Sequence, residues 1–381
     1  MTPAARVQAA IEIVDQVIAS ARDNGPPADA LVSAYFKTRR YAGSKDRRAV
    51  RELVFQAIRH SAEVPGSGRA ALLATSADLF DGSPHGPASR TEGEEAAEAG
   101  VVPAWLRAEL SPLVEVDASL VERAPLDLRA KPPREAALAE LPDAVPTPLS
   151  PWGLRLPIDA RVTDLAVFTE GKVEVQDEGS QLVALAALPG PGQLVVDLCA
   201  GAGGKSLAIA AAEPAARITA CDVSRARLAP LAARAERAGA TIEARLLDTP
   251  REAEGLADLE GQADVVLVDA PCSGSGTWRR NPEGRWRLNP ERLDKLLELQ
   301  ARVLDLAAPL VKPGGVLVYA VCSLLAREGA VQAAAFLSRH SGFAAEDTGL
   351  TAGRSDGVGR LLTPGQDGTD GFFIARFRSK P

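Results

Sequence analysis

The chain has 381 residues, 46% of them hydrophobic and 24% charged, and carries a net charge of −7. Its length predicts two or three domains. No apolar run approaches the ~20 residues of a membrane span, and the amphipathic N-terminus lacks the unbroken apolar stretch of a signal peptide. We therefore expect a soluble, cytoplasmic protein with no membrane partner. The negative charge disfavours nucleic acid as a partner, although a local basic patch is enough to bind phosphates.

The N-terminal part of the chain has the pattern of helices. Val7, Ile11, Val14 and Ile18 recur at helical spacing, and we predict helices over residues 5–60. The same region contains a group of basic residues, which we call the basic cluster: Lys37, Arg39, Arg40, Lys45, Arg47, Arg48 and Arg51.

Two less regular stretches follow. Residues 81–100 are rich in Gly, Pro, Ser and Glu, which predicts a loop or linker. Residues 125–168 combine prolines with short apolar pieces, which indicates a small irregular α/β segment.

From residue 194 onward strand-like runs alternate with helical runs. The strand-like runs include LVVDLCA at 194–200 and ADVVLVDAP at 263–271, and a long helical run covers 291–311. Such alternation predicts a parallel, doubly wound sheet. Ligands of these sheets bind at the carboxyl ends of the strands, so the residues that follow each apolar run are the candidates for function.

The first apolar run leads into a glycine-rich turn, in which the backbone can approach a ligand closely. A phosphate-binding P-loop would need glycine where Cys199 stands, and a nicotinamide-binding turn would need glycine where Ser206 stands. The turn by itself therefore neither indicates nor excludes a nucleotide-like ligand.

Acids at the ends of the next two strands favour such a ligand. Asp222 lies about 20 residues beyond the glycine turn, where an acid accepts hydrogen bonds from ribose hydroxyls. The alternative is a helix N-cap, a role that Ser224 could also fill. Asp248 ends the third strand, where it either faces an adenine or is an ordinary turn residue.

Two strand-like runs end in Cys-Ser, at Cys272 and at Cys322. Methylases of exocyclic amines need an Asn/Asp-Pro-Pro-aromatic turn where this chain has Asp269-Ala270-Pro271-Cys272. A cysteine there favours covalent chemistry: addition of a thiolate at carbon 6 of a pyrimidine lets carbon 5 attack an electrophilic methyl group. The alternative is that each cysteine is a small buried hydrophobe.

The other two cysteines, Cys199 and Cys221, are expected to be structural. None of the four cysteines is paired as C-x-x-C and the three histidines lie far from them, so we expect neither a disulfide framework nor a metal site.

Five segments together resemble the RNA cytosine-5 methyltransferases of the Sun/RsmB type. They are VQDEGSQLVALA (175–186), DLCAGAGGK (197–205), DAPCSGSGTWRRNPE (269–283), LQARVLDLAAPLVKPGGVLVYAVCSL (299–324) and DGFFIARF (370–377). The resemblance covers the chain from about residue 170 to the end. The N-terminal helices resemble, less specifically, the NusB-like RNA-binding domain of this branch.

The resemblance implies a Rossmann-like class I methyltransferase fold, an α/β fold with a mostly parallel seven-stranded sheet, preceded by an all-helical N-terminal domain. We expect the helical NusB-like domain to cover 1–112, a small α/β connecting segment 113–168, and the methyltransferase domain 169–381.

The resemblance also implies a role for each candidate residue. Cys322 matches the nucleophile that attacks carbon 6, and Cys272 matches the cysteine that assists release of the methylated product. Asp269 matches the acid that contacts ring nitrogen 3, and Lys205 the lysine that organises the site. The implied contacts of the cofactor S-adenosylmethionine are Cys199, Ala200, Gly201, Ala202, Gly203, Gly204, Lys205, Asp222, Asp248 and Asp269.

The chain departs from the family pattern at two places. The family has Ala-Pro-Gly-Gly-Lys where this chain has Gly-Ala-Gly-Gly-Lys at 201–205, so the turn loses a rigid proline and keeps its glycines. The family has Ser-Thr where Ala320 and Val321 precede the nucleophile, which makes any role of those hydroxyls doubtful here.

The segment that follows the Cys272 turn contains three candidate RNA contacts. Trp278, Arg279 and Arg280 would meet RNA by stacking and by phosphate contact, and the alternative is a solvated basic turn.

The sequence thus predicts a monomeric, S-adenosylmethionine-dependent RNA methyltransferase. Ribosomal RNA is the expected substrate, and transfer RNA is the alternative. The target base must leave its stack to reach the thiol. A DNA cytosine-5 methylase is the alternative enzyme. An RNA-binding assembly factor that has lost catalysis is the alternative from another class.

Overall fold

The computed structural model describes residues 1–23 and 25–381, which divide into two compact units. The first, which we call the helical unit, comprises Met1–Leu110, Glu115–Arg123 and Thr277–Pro290. The second, the sheet unit, comprises Ser111–Val114, Ala124–Gly276 and Glu291–Pro381. Among the described residues, no helix combines the length and the apolar character needed to cross a bilayer.

The chain forms α-helices, short 3₁₀ helices and strands. The α-helices are α1 (Pro3–Arg22), α2 (Ala28–Lys37), α3 (Ser44–His60), α4 (Gly68–Ser76), α5 (Arg134–Leu138), α6 (Ala166–Thr169), α7 (Glu178–Ala186), α8 (Gly204–Ala212), α9 (Arg225–Leu228), α10 (Leu231–Ala238), α11 (Gly284–Arg287), α12 (Pro290–Ala307), α13 (Ala330–Arg339) and α14 (Pro364–Asp367). Short 3₁₀ helices cover Ala77–Leu79, Ala104–Glu109, Ala118–Leu120, Glu254–Leu259, Ser275–Thr277 and Ala308–Leu310. The strands are β1 (Leu126–Ala130), β2 (Val145–Pro146), β3 (Gly153–Leu156), β4 (Val173–Val175), β5 (Leu194–Asp197), β6 (Arg217–Asp222), β7 (Glu243–Leu246), β8 (Ala263–Asp269), β9 (Val311–Val321), β10 (Phe343–Glu346), β11 (Arg354–Asp356), β12 (Gly359–Leu362) and β13 (Phe372–Ser379).

The helical unit is built on α1 to α4; α1 to α3 lie in the range where the N-terminal periodicity predicts helices, and α4 lies beyond it. Helix α1 begins at Pro3, and the side chain of Thr2 accepts a hydrogen bond from the Ala5 N–H at 3.2 Å, an N-cap of the usual kind. Val7 and Val14 are fully buried on one face of α1, where they pack with apolar residues of α3 and α4. The 3.6-residue spacing of apolar positions thus becomes the core of this unit.

Thr277–Pro290 packs into the helical unit, although the sequence predicts it to belong to the domain at 169–381. Arg285 is 1% exposed and donates to the carbonyl oxygens of Ile58 at 2.6 Å and Val101 at 2.8 Å. The indole of Trp286 donates to the carbonyl oxygen of Ser61 at 3.1 Å. A buried guanidinium needs several acceptors, and main-chain carbonyls of the helical unit supply them.

A four-stranded antiparallel sheet occupies the region predicted as an irregular α/β segment. Its order is β2-β3-β1-β4, and β4 lies beyond the predicted boundary at residue 168. Leu128 and Leu154 are fully buried in its core.

The larger sheet has the order β11-β12-β13-β9-β8-β5-β6-β7, with β10 paired to β13. Strands β5 to β9 pair in parallel, and β10 to β13 pair antiparallel. The apolar run Val265–Val268 is buried, as expected for a strand covered on both faces.

This arrangement confirms the prediction of a Rossmann-like methyltransferase fold with a helical N-terminal region. The described residues give the sheet nine strands rather than the predicted seven. The difference arises at 343–362, where β10 and β12 pair with β13 and β11 pairs with β12.

Candidate active site

The glycine-rich turn between β5 and α8 needs its glycines. Gly201 and Gly203 have φ values of +53° and +78°, in the left-handed region that favours glycine. A Cβ on Gly203 would lie 2.2 Å from the side chain of Leu231. Helix α8 begins directly after this turn, at Gly204, so its first N–H groups have no partner within the helix. The turn therefore offers hydrogen-bond donors at the carboxyl end of β5.

Asp222 at the end of β6 holds this turn in place. Its Oδ2 accepts a hydrogen bond from the Gly201 N–H at 2.8 Å, and its Oδ1 accepts one from the Ser224 N–H at 2.8 Å. Ser224 itself caps α9, because its hydroxyl accepts from the Arg227 N–H at 3.3 Å. The capping role therefore falls to Ser224, and Asp222 is a buried carboxylate next to the glycine turn.

Asp197, the last residue of β5, is a site residue absent from the sequence-based predictions. It is 1% exposed; its Oδ2 accepts from the Ser206 hydroxyl at 2.6 Å, whereas no described residue contacts its Oδ1 by a hydrogen bond. Burial raises the pKa of this carboxyl to about 6. This oxygen is thus one of the few buried side-chain polar atoms of the described residues without a hydrogen-bond partner. The cue in the sequence is an acid that closes an apolar run just before a glycine turn.

Asp248 lies in a different environment. Its carboxylate is 68% exposed and forms an ion pair with Arg251, three residues further along the chain. This is the setting of a turn residue, and the contact with adenine stays a prediction.

Lys205 and Asp269 meet at the carboxyl ends of the sheet. The ammonium of Lys205 donates to Oδ2 of Asp269 at 2.5 Å and lies 5.7 Å from the ring centroid of Phe372. Burial by itself would lower the pKa of Lys205, but the charge of Asp269 and the hydrogen bond to it outweigh burial and raise that pKa. The pair therefore places a fixed cation beside an acid.

The two Cys-Ser strand ends come together because β8 and β9 are parallel neighbours, with Asp269 opposite Ala320. The sulfur atoms of Cys272 and Cys322 lie 3.3 Å apart. Their shared hydrogen bond, together with burial, raises the pKa of Cys272 well above its usual value. The Cys322 sulfur contributes to the raised pKa of Lys205, so the cysteine pair lies within electrostatic reach of the lysine. Cys272 therefore holds its proton more tightly than a free thiol does.

The two residues before Cys322 are part of the core. Ala320 and Val321, which replace the family's Ser-Thr, are both fully buried on β9. The site thus keeps its thiol and has apolar side chains where the family has hydroxyls.

The remaining cysteines, Cys199 and Cys221, are free thiols with raised pKa values. Cys221 is fully buried in β6, and burial raises the pKa of its thiol to about 12. Burial also raises the pKa of Cys199. Both thiols are thus poor nucleophiles, in keeping with the structural role expected for them.

Trp278 is 1% exposed in the helical unit. Its ring offers no free face to a nucleobase, which contradicts the predicted stacking contact. Arg279 and Arg280 are half-buried in the same unit, and their contact with RNA stays a prediction.

Comparison with known families and proteins gives one family. A family model described as 16S rRNA methyltransferase RsmB/F matches residues 184–378, half of the chain. A ribosomal RNA small subunit methyltransferase B of Xylella fastidiosa is 41% identical over 61% of this chain and 55% of its own length. One of Salmonella arizonae is 37% identical over 65% of this chain and 57% of its own. The chain spans little more than half the length of these curated relatives.

Solved structures show the same architecture. A crystal structure of the protein PH0851 covers 99% of both chains with a TM-score of 0.78 at 22% identity. A methyltransferase homologue from Pyrococcus horikoshii covers 68% of this chain and 88% of its own with a TM-score of 0.59 at 25% identity.

Proposed function

The chain belongs to the RsmB/F family of 16S rRNA methyltransferases, and we propose on this basis that it transfers a methyl group from S-adenosylmethionine to carbon 5 of a cytosine in RNA. Ribosomal RNA is the proposed substrate, since the curated relatives are named for the small-subunit ribosomal RNA.

One observation carries the proposal beyond family membership. The sulfur atoms of Cys272 and Cys322 lie in contact at 3.3 Å, at the end of the sheet where Lys205 contacts Asp269. Two thiols and an acid at one place match a reaction that adds a nucleophile to a ring, assists that addition at a ring nitrogen and later releases the product. Such a pair has no function in methyl transfer to an exocyclic amine.

The residues around the glycine turn fit S-adenosylmethionine. Asp222 would bind the ribose hydroxyls, and the turn at 199–205 would line the methionine end. When bound, the cofactor supplies an electrophilic methyl group.

The chain's own residues then act on the cytosine. The Cys322 thiolate, close to the cation of Lys205, attacks carbon 6, and Asp269 assists by contact at ring nitrogen 3. Carbon 5 becomes nucleophilic and accepts the methyl group. Cys272 assists release: after its own proton has passed to solvent, its thiolate takes the proton from carbon 5, the bond between carbon 6 and the Cys322 sulfur breaks, and 5-methylcytosine and the Cys322 thiolate are freed.

Transfer of tritium from methyl-labelled S-adenosylmethionine to RNA tests the proposal directly. Label in ribosomal RNA, recovered as 5-methylcytosine after digestion, is the expected result. Label in DNA alone would favour the DNA methylase. Binding of RNA without any transfer would favour the assembly factor. Bisulfite sequencing of RNA from a strain lacking the protein would then locate the cytosine.

Replacing Asp222 by alanine is expected to weaken the binding of S-adenosylmethionine about 10- to 100-fold. The ribose hydroxyls lose charge-assisted hydrogen bonds worth roughly 1.5–3 kcal/mol, and Gly201 loses the acceptor that holds the turn. Titration calorimetry measures the affinity. Ser224→Ala, which removes only the cap of α9, is the matched control and should leave the affinity unchanged. An unaltered affinity in folded Asp222→Ala would exclude the ribose contact.

The structure shows which residues of the basic cluster are available to bind RNA. Arg39 pairs with Glu12 and Arg51 with Asp29, and Arg47 donates to a main-chain carbonyl. The members that are exposed and form no ion pair within the described residues are Lys37, Arg40, Lys45 and Arg48.

Replacing these four residues by glutamine should raise KM for RNA and flatten the dependence of RNA affinity on salt, because fewer counterions are released on binding. The loss amounts to roughly 0.7 in log–log slope for each contact with single-stranded phosphate. The control exchanges Lys and Arg at the same four positions, which keeps the charge and should keep the slope. If the glutamine variant kept the original slope, the basic cluster would be a solvent-exposed surface that does not contact RNA.

A further inference from the structure

Glu328 is a fully buried carboxylate in the turn between β9 and α13. Each of its oxygens accepts two hydrogen bonds. Oε1 accepts from the Ser273 N–H at 2.8 Å and from the side-chain amide of Gln300 at 2.9 Å. Oε2 accepts from the hydroxyls of Ser273 and Ser323, both at 2.5 Å. A carboxylate offers only acceptors, and here it meets four donors.

These contacts join the two loops that carry the cysteines. Ser273 directly follows Cys272, and Ser323 directly follows Cys322, so one carboxylate binds the residue next to each sulfur. The serine of each Cys-Ser pair is therefore the point of attachment.

Further hydrogen bonds hold Glu328 in place and strengthen the connection between the two loops. The Tyr319 hydroxyl donates to the main-chain carbonyl of Glu328 at 2.6 Å, and the side chain of Gln300 donates to the carbonyl of Pro271 at 2.9 Å. The Ser275 hydroxyl lies 3.0 Å from that of Ser323. Polar networks that are fully buried and satisfied in this way make a structure rigid.

We propose that Glu328 is the positioning residue of this site, and that its carboxylate sets the spacing of Cys272 and Cys322 by tying the loop after β8 to the loop after β9. Without this tie, the strand pairing and the weaker contacts of Ser275 with the loop after β9 would have to define the distance between the sulfurs. The consequence for catalysis rests on the proposed function, in which both sulfurs must reach one cytosine.

A probe that needs no RNA tests the spacing. Phenylarsine oxide condenses with two thiols that lie close together and releases one water, so it bridges them. Wild-type protein should be bridged between Cys272 and Cys322, and peptide mapping by mass spectrometry distinguishes this bridge from any reaction at Cys199 or Cys221. The concentration of arsenical at half-saturation is the readout.

Glu328→Leu keeps the bulk of the side chain and removes every acceptor. We expect half-saturation to need at least tenfold more arsenical, and kcat for methyl transfer to fall about 100-fold because misplacement of reacting groups by about 1 Å has that effect. KM for S-adenosylmethionine should change less than twofold. If this variant does not fold, the pair Ser273→Ala and Ser323→Ala, which removes only the hydroxyls, should show the same direction.

Glu328→Gln is the conservative variant and should restore the bridge to within threefold of wild type. Its carbonyl oxygen can accept the two fixed N–H donors, while the serine hydroxyls rotate to accept from its amide. Asp264→Leu is the matched control: it removes a largely buried carboxylate at the opposite end of β8, where Lys312 is its partner, and should leave the bridge unchanged.

The outcomes separate the two proposals. If folded Glu328→Leu were bridged at the same arsenical concentration as the wild type, the positioning role would be overturned, whatever the methylation assay shows. If Glu328→Leu does not fold, the same holds for the double serine variant. Equal losses in Asp264→Leu would also overturn it, since general destabilisation would then explain the effect. Wild-type protein that is bridged but transfers no methyl group would instead overturn the proposed function.

Discussion

Cys272→Ala should accumulate a protein–RNA adduct that survives denaturing electrophoresis, whereas Cys322→Ala should form no adduct and transfer no methyl group. A free thiol is only a few per cent thiolate at neutral pH, so the nucleophile needs activation. The structure places Cys322 within electrostatic reach of Lys205 and raises the pKa of Cys272. In the proposed mechanism Cys322 is therefore the sulfur that attacks, and Cys272 acts in a later step.

The double variant is the control for this experiment. It should form no adduct, since release cannot be blocked where addition does not occur. An adduct in Cys322→Ala that is absent from Cys272→Ala would reverse the assignment and favour the DNA-methylase use of the Pro-Cys turn. Full activity in both single variants would exclude the covalent mechanism.

Asp269→Asn should lower kcat by 10²- to 10⁴-fold, the range of a lost acid–base group. An amide keeps the shape of the side chain but cannot exchange a proton with ring nitrogen 3. Lys205→Met should also lower kcat, because the thiolate loses its neighbouring cation and Asp269 loses its hydrogen bond at 2.5 Å. Single-turnover measurements with labelled S-adenosylmethionine give the rate of the chemical step.

The combination of the two substitutions is informative. Residues that act as one unit are strongly non-additive, so the double variant should lose little more than the worse single variant. Asp264→Asn changes an acid on the same strand that has no proposed part in the reaction, and its kcat should equal that of the wild type. A kcat within threefold of wild type for Asp269→Asn would remove this residue from the mechanism.

Local patterns predict which residues lie at the carboxyl edge of the sheet, for a physical reason. Strands buried on both faces read as continuous apolar runs, and the carboxyl ends of parallel strands share one edge of a sheet. The runs at 194–200 and 263–271 therefore predict that the glycine turn and Asp269 lie at the same edge, and the hydrogen bond from Lys205 to Asp269 joins them there. The meeting of Cys272 and Cys322 follows from the same rule, because β8 and β9 are neighbours.

Other features leave no signal of their own in the sequence. Strand β10 is short and largely exposed, so it lacks the apolar run that indicates a buried strand, and only pairing with β13 defines it. The indole of Trp278 looks available for RNA in the sequence, because nothing near it along the chain shows that it is buried.

What the sequence by itself determined is the family, the order of the buried strands and the helices between them from residue 194 onward, and which residue types stand at the ends of those strands. Each of these depends on neighbours within a few residues. Only the tertiary structure decided which distant groups satisfy one another. Arg285 finds its acceptors more than 180 residues away, at Ile58 and Val101, and this draws Thr277–Pro290 into the helical unit. Glu328 finds Ser273 55 residues away. Buried polar groups must be paired, but the sequence does not name the partner, because the partner is set by how the whole chain packs.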